Sequence, residues 1–372
     1  MNHTDIRHRL HQLAEPSGAE TETKRLILEV LRKLGPTRIH TFRDSNNLLA
    51  VYDLGHGGPT TLIRADFDAV RVPETLDIPY ASHLPGVSHK CGHDGHTTIL
   101  LGLAERLHLH PPARGRALLL FQAAEETGEG AAQLLASGIL DTYRPDKVYA
   151  LHNIPGEPLG TVVCKEDSFT CSVVSCDIGL HGRTAHAAEP LNAISPYPAA
   201  KSITDRLLAL NRYDMRADDF RLLTLVELKI GEQAYGVTAG HGVLRLTIRA
   251  KEDNLLQQTR DEIIRIAEEE TKRTDGLACE IGWKEYFAAA KNHKGAVETI
   301  KDAAQACGLP YVTIENPFSW GEDFGLLTQH YEGALFGLGS GESQPPLHHP
   351  LFDFPDHLIP VGVSLLYHLI DR

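Results

Sequence analysis

Long apolar runs are missing from this 372-residue chain: none exceeds the five residues of Ala117–Phe121, whereas a membrane helix needs about 20. A membrane span is therefore not expected. Cysteine is scarce too, with 6 residues (Cys91, Cys164, Cys171, Cys176, Cys279, Cys307) and no CxxC pair, which predicts free thiols rather than a disulfide framework. Positive charge is in deficit: 36 Lys plus Arg against 49 Asp plus Glu leave a formal charge of −13, with no Lys/Arg-rich run. Nucleic acid and anionic membrane are accordingly poor candidate partners. The first 20 residues carry charges and polar groups throughout and lack an apolar stretch of signal-peptide length, so export is not expected and a cytoplasmic location is.

What is present is a core: 42% of residues are hydrophobic and 23% charged, and the length suits two or three units of domain size. Histidine is the unusual component, with 21 residues against 11 Phe and 11 Tyr. As the commonest metal ligand and acid/base side chain, it raises the question of how many are ligands.

The first 160 residues alternate helical and apolar-run patterns. Ala19–Leu34 carries Leu26, Ile27, Val30, Leu31 and Leu34 on one face and stops at Gly35-Pro36. Three continuous apolar runs follow, Thr60–Arg64, Ala117–Gln122 and Val148–Leu151, with a helix predicted over Thr97–Leu109. Such runs separated by helices predict a mostly parallel sheet covered on both faces, with ligands beyond the carboxyl ends of its strands. Near residue 165 the pattern changes. Cys171–Gly182, Leu222–Ile230, Val243–Ala250 and Leu277–Phe287 alternate, with helices predicted over Pro196–Tyr213 and Asn254–Arg273. That order is β-α-β-β-α-β, the split ferredoxin-like unit. The expected organisation is an α/β catalytic domain over 1–165 and 286–372, interrupted by an α+β satellite domain at 166–285. The second catalytic part should hold a helix at Lys294–Cys307, a strand at Ala334–Leu338 and a terminal helix at Leu358–Ile370.

Four clusters carry chemistry. Cys91-Gly92-His93-Asp94-Gly95-His96 offers thiolate and imidazole donors within six residues, suited to a borderline-soft divalent ion. It is also compatible with a polar helix turn capped by Asp94. Glu125-Glu126 follows a core strand, where adjacent carboxylates repel unless cations or donors face them. One could ligate a metal while its neighbour serves as general base; alone, the pair also suits a solvated acidic turn. His152 ends the third run, and His348-His349 sits in a proline-bounded loop. Together, Cys91, His93, Glu126, His152 and His348 supply five donors, more than one tetrahedral site needs, which points to two ions.

With these motifs in order, the chain resembles the amidohydrolase branch of the aminoacylase and carboxypeptidase metallopeptidase family. The resemblance rests on Arg64-Ala65-Asp66-Phe67-Asp68, Cys91–His96, Gln122–Glu126, Leu151-His152-Asn153, Gly182–Ala188, Gly321-Glu322-Asp323-Phe324 and Leu347–Pro350, which span nearly the whole chain. It implies a zinc-peptidase-like fold and hydrolysis of N-acyl amino acids. Two divalent ions (Zn, Mn, Co or Ni) would be held by Cys91, His93, Glu126, His152 and His348, with Asp66, Asp68 and Asp94 orienting the ligands. Glu125 would be the general acid/base, His186 an oxyanion and substrate contact supplied from the partner of a homodimer joined through the satellite domain, and Arg249 the holder of the substrate carboxylate. Gly236 departs from the pattern, standing where relatives carry Asn. Alternatives are a dipeptidase or aminobenzoyl-glutamate-type hydrolase and, in another class, an inactive metal-binding or interaction protein. His96 and His349 are expected behind the ligands, and others, such as His3, His8, His108 and His110, as solvated surface.

Overall fold

A computed structural model describes residues 1–371, and the chain divides into two compact units. The first takes residues 1–169, 290–315 and 322 onward. The second takes 170–289 together with 316–321, a segment that no sequence pattern assigns to it.

The centre of the first unit follows from the apolar runs. Strands Gly115–Gln122, Thr60–Asp66, Lys147–Pro155 and Gly333–Gly341 lie side by side in that order, all parallel. Their side chains are buried almost without interruption, as a sheet covered on both faces requires. Four flanking strands were not expected. Leu48–Gly55 pairs antiparallel with Gly115–Gln122, Leu48 opposite Phe121, and Arg38–Thr41 extends that edge. On the other side, Val162–Cys164 runs antiparallel to Gly333–Gly341 and parallel to Tyr311–Thr313, completing eight strands.

The helices depart from expectation where polar residues are buried. His93–Leu109 begins four residues before the predicted start, because His93, Asp94 and His96 carry no hydrophobic signal although each is at most 1% exposed. Its N-cap is Gly92, in left-handed backbone (φ 99°), so Asp94 lies inside the helix and does not cap it. Helix His3–Leu13 went unrecognised for the same reason: its buried face is Ile6, Arg7, Leu10 and His11, half of it ionisable. Thr21–Lys33 buries Leu26, Ile27, Val30 and Leu31 as its periodicity requires.

The second unit is a four-stranded antiparallel sheet in the order Ala278–Phe287, Ser172–His181, His241–Ala250, Arg221–Ile230. Helices Tyr197–Leu208 and Asp253–Lys272 fill the two crossovers, giving the ferredoxin-like arrangement. Val174, Cys176, Ile178 and Leu180 pack with Ile203, Leu207, Ile263 and Ala267 in its core. The first of these helices stops at Leu208, short of the predicted Tyr213. Asn211 there turns to hydrogen bond both backbone groups of Leu223, accepting at 2.6 Å and donating at 3.2 Å. All six cysteines are free thiols, and among the described residues no helix is long and apolar enough to cross a membrane.

Candidate metal centre and active site

Four connections at the carboxyl ends of the parallel strands build the site. Thr60–Asp66 ends in Asp66 and leads to Asp68, Gly115–Gln122 leads to Glu125 and Glu126, and Lys147–Pro155 contains His152. Cys91 and His93 flank the helix N-cap Gly92, whose close approach to Asn153 leaves no room for a side chain: a Cβ there would lie 2.3 Å from Asn153 Oδ1. His348 arrives on the later loop in left-handed backbone (φ 63°), with its N–H donating to the Lys90 carbonyl at 2.8 Å.

The five expected metal ligands come together. The ligand atoms of Cys91, His93 and His152 all lie within 4.8 Å of one another, and the same holds for Cys91, Glu126 and His348. Cys91 belongs to both groups. The two inner histidines are held from behind, His93 Nδ1 by the Asp68 carbonyl at 3.0 Å and His152 Nδ1 by the Asn153 carbonyl at 2.9 Å. This leaves each Nε2 toward the centre, the arrangement by which a backbone acceptor fixes the tautomer of a metal-binding imidazole. His152 Nε2 lies 3.6 Å from Cys91 Sγ. His93 Nε2 and Glu126 Oε1 are buried with no hydrogen-bond partner among the described residues. Buried polar atoms are seldom left so, and the mixed S, N and O donor set fits divalent metal.

The residues behind the ligands divide into two sorts. Asp68 accepts from Ser17 Oγ at 2.7 Å and from the Glu126 N–H at 3.0 Å, and its Oδ1 lies 3.3 Å from His93 Nδ1. Asp66 takes His96 Nδ1 at 2.6 Å, while His96 Nε2 lies 2.6 Å from Asn153 Oδ1. With both nitrogens occupied, His96 supports the site rather than offering a further ligand. Asp94 does something else: it binds Arg7 Nη1 at 3.2 Å and His11 Nδ1 at 2.8 Å, anchoring the N-terminal helix. His11 and His89 are buried, so the histidines without a site role are not all solvated surface; His8 stacks on Tyr80 with ring centroids 3.6 Å apart.

Glu125 sits against Glu126 and, on its other side, against Glu322 and Asp323. Arg64, itself buried, answers these charges, with Nη2 2.8 Å from Glu322 and 2.9 Å from Asp323 and its Nη1 on Asp66. Gln122 Nε2 adds a bond to Asp323 at 2.7 Å. The quartet is a feature that sequence reasoning missed: Arg64, Glu322 and Asp323 stood in motifs without a role, since their pairing spans more than 250 residues. Burial, followed by the charges of Glu322, Glu126 and Asp323, raises the Glu125 carboxyl well above the ordinary range. Burial likewise raises the Cys91 thiol. For His93 burial works downward, but Asp66, Asp68 and Glu126 outweigh it and bring the imidazole up to about 10.

His186 and Arg249 lie in the second unit. His186 is exposed, its Nδ1 accepting the Ala188 N–H at 3.1 Å, and its backbone bridges Val237. Gly236 lies in the facing loop between Arg221–Ile230 and His241–Ala250, where its carbonyl accepts the Ala187 N–H at 3.0 Å; an added Cβ would meet nothing within 4 Å. Arg249 donates to the Ser319 carbonyl at 2.9 Å, and no carboxylate among the described residues pairs with it.

The sequence pattern of the peptidase family M20/M25/M40 matches residues 62–372, most of the chain. The chain belongs to this family. As a member it is a hydrolytic enzyme of the amidohydrolase branch. It is 28% identical over 370 residues to an N-acetyldiaminopimelate deacetylase of Exiguobacterium sibiricum, covering 98% of this chain and 97% of that one. It is 29% identical over 372 residues to an N-acetyl-L-cysteine deacetylase of Bacillus subtilis, covering 99% and 87%. Among solved structures, this family member resembles a Bacillus subtilis protein described as a dinuclear metal binding peptidase, with a TM-score of 0.82, 26% identity, and 99% and 96% of the two chains covered. A putative aminohydrolase from methicillin resistant Staphylococcus aureus shares the fold at a TM-score of 0.86 and 24% identity, covering 99% and 95%.

Proposed function

We propose that this enzyme hydrolyses the amide bond of N-acyl amino acids, with two divalent ions held by Cys91, His93, Glu126, His152 and His348 and with Glu125 as general acid/base. The observation that carries the reading is the convergence of two donor groups that share Cys91, directly beside a carboxyl whose surroundings favour its protonated form. The deacetylase relatives and the dinuclear neighbour support the substrate class and the ion count.

When bound, the ions supply Lewis acidity toward a water molecule and the scissile carbonyl. Glu125 takes the proton from the attacking water and returns it to the amine nitrogen as the C–N bond breaks, so that one water is consumed and a carboxylate and an amine leave. A carboxyl kept from ionising by its neighbours gains that proton readily, and the nearby cations temper the effect. Asp68 holds the ligand His93 in orientation, and Asp66 supports the site through His96. The Arg249 guanidinium, with no acidic partner among the described residues, is suited to the substrate carboxylate through its planar fork. His186 serves as donor to the developing oxyanion. The loop that its backbone bridges exposes Tyr235 and Val237, and Leu191 on its own loop is exposed too, which suits contact with a second copy of the chain and a homodimer in which His186 acts across the interface.

The test is hydrolysis of N-acetyl- and N-benzoyl-amino acids by protein loaded in turn with Mn, Zn, Co and Ni, alongside a Glu125→Gln variant and a dipeptide panel. Activity unaffected by the substitution would sink the mechanism, and preference for dipeptides would move the substrate class. Absence of activity with every metal on both panels would point to a metal-binding protein without catalysis.

A further inference from the structure

We propose that Glu20 is a positioning residue of the active site, its buried carboxylate locking the backbone turn that presents Glu125; this rests on the role of Glu125 given above. Ala124, the residue before Glu125, adopts left-handed backbone (φ 52°). Only glycine enters that region without steric cost, because the alanine Cβ crowds the following carbonyl. A strained residue persists where its surroundings over-determine it, and such residues gather at functional sites.

What over-determines Ala124 is on either side of it. Its N–H donates to Glu20 Oε1 at 2.9 Å, across 104 residues of sequence. Its carbonyl takes the N–H groups of Glu129 at 3.1 Å and Gly130 at 3.0 Å. Two residues on, the Glu126 N–H donates to Asp68 Oδ2 at 3.0 Å. The two amides flanking Glu125 are thus each gripped by a buried carboxylate from a distant segment. Asp68 also touches the ligand His93. Glu20 touches no candidate ligand, so its influence on the site runs through the backbone.

Glu20 is fully buried and held firmly. Oε1 also accepts the Gly18 N–H at 2.9 Å, and Oε2 accepts from Asn46 Nδ2 at 2.9 Å. An ionised carboxylate accepting three N–H groups makes stronger bonds than a neutral amide oxygen would, enough to oppose the tendency of Ala124 to return to an ordinary conformation. Behind the turn lies a polar cleft lined by Glu20, Lys24, Asn46 and Ala124. Once the carboxylate is removed, water from that cleft can satisfy the Ala124 N–H in other backbone conformations. The turn then relaxes, and Glu125 leaves its working position while the metal donors stay in place.

The experiment pairs Glu20→Gln with Ala124→Gly in the metal-loaded enzyme. Glu20→Gln should lower kcat about 10- to 100-fold, as a displaced catalytic group does, with KM within about 2-fold and the metal content of the parent. Glycine at 124 removes the cost of left-handed backbone, so adding Ala124→Gly to Glu20→Gln should restore kcat about 5-fold. A merely structural role predicts no such rescue. A kcat for Glu20→Gln within about 2-fold of the parent, or a double variant no better than the single, overturns the proposal. Glu125→Gln, run in parallel, separates the two failures: if it loses activity while Glu20→Gln does not, only the positioning role falls. If it keeps activity, the role of Glu125 falls and this proposal with it. Should Glu20→Gln fold poorly, Ala124→Val tests the same turn with Glu20 intact. Its β-branched side chain resists left-handed backbone, so kcat should fall by a similar factor at unchanged metal content, and full activity would overturn the proposal.

Discussion

His93 Nε2 and Glu126 Oε1 face each other at 3.8 Å, both buried, and neither completes a hydrogen bond with any described residue. His348 Nε2 approaches the same oxygen at 3.3 Å without hydrogen-bond geometry. Donors that converge without bonding one another are arranged for a third party. Without ions, the Cys91 thiol is raised by burial and His93 is held at about 10, so both carry protons at neutral pH. Metal ligands must give these up. Loading the metal-free protein at pH 7 should therefore release about two protons per chain, read by calorimetry in two buffers of different ionisation enthalpy, and affinity should increase with pH. Binding without proton release would contradict this donor set.

Glu125→Gln should lower kcat by about 10²- to 10⁴-fold, the range for loss of a general acid/base, while metal content stays at the parent level. Because Glu126, Glu322 and Asp323 already keep this buried carboxyl from ionising, the neutral glutamine stands close to its protonated form, so thermal stability should hold. A variant that loses metal along with activity would assign Glu125 to ligation instead.

Arg64→Met tests the floor of the site. The guanidinium is the internal cation shared by Asp66, Glu322 and Asp323, all buried. Breaking a buried ion pair by deleting one partner costs about 3–5 kcal/mol, which should appear as a lower urea midpoint with an unchanged slope. Arg64→Lys should recover only part of it, since a point charge cannot span three carboxylates as the planar fork does. A midpoint within experimental error of the parent would show the network to be energetically neutral.

How much of this was legible beforehand depended on where apolar residues fell. The parallel strands at Ala117–Gln122 and Val148–Leu151 were continuous apolar runs, and the polar residues following them led to Glu125, Glu126 and His152. Where burial was achieved with charge, the pattern was silent. The His3–Leu13 helix hides Arg7 and His11 against Asp94, and the His93–Leu109 helix opens on three buried polar residues. Hydrophobic periodicity registers neither. Nor does any local signal show that Glu20 reaches Ala124 or that Arg64 reaches Glu322, because those bonds exist only once distant segments are folded together.

The buried His11 makes stability depend on pH in a defined direction. Burial lowers its pKa, but Asp94 and Glu74 outweigh that and bring it to about 9, above the ordinary 6.5. A group raised on folding stabilises fully below its unfolded pKa, and that contribution is lost as pH rises through the folded one. The protein should therefore lose stability between about pH 6.5 and 9, by roughly 3 kcal/mol from this group. Chemical denaturation across that range, compared with His11→Asn, should show a slope that the variant lacks. Equal slopes would assign the effect elsewhere.

Gly92→Ala separates backbone strain from crowding at the site. Gly92 combines left-handed backbone with a wall: its Cβ would stand 2.3 Å from Asn153 Oδ1, the atom that binds His96 Nε2, which in turn leaves His96 Nδ1 on Asp66. Gly86 has a similar backbone (φ 79°) but nothing within 4 Å, so Gly86→Ala pays only the conformational cost, about 1 kcal/mol. Gly92→Ala must add the displacement of Asn153 and should cost at least about 2 kcal/mol. Because Gly92 lies between Cys91 and His93, it should also weaken metal binding about 10- to 100-fold, as loss of ligand support does. Gly86→Ala should leave metal affinity alone. Equal costs for the two variants, with metal affinity unchanged in both, would mean that Asn153 yields freely and that its contact with Gly92 does not hold the ligand loop.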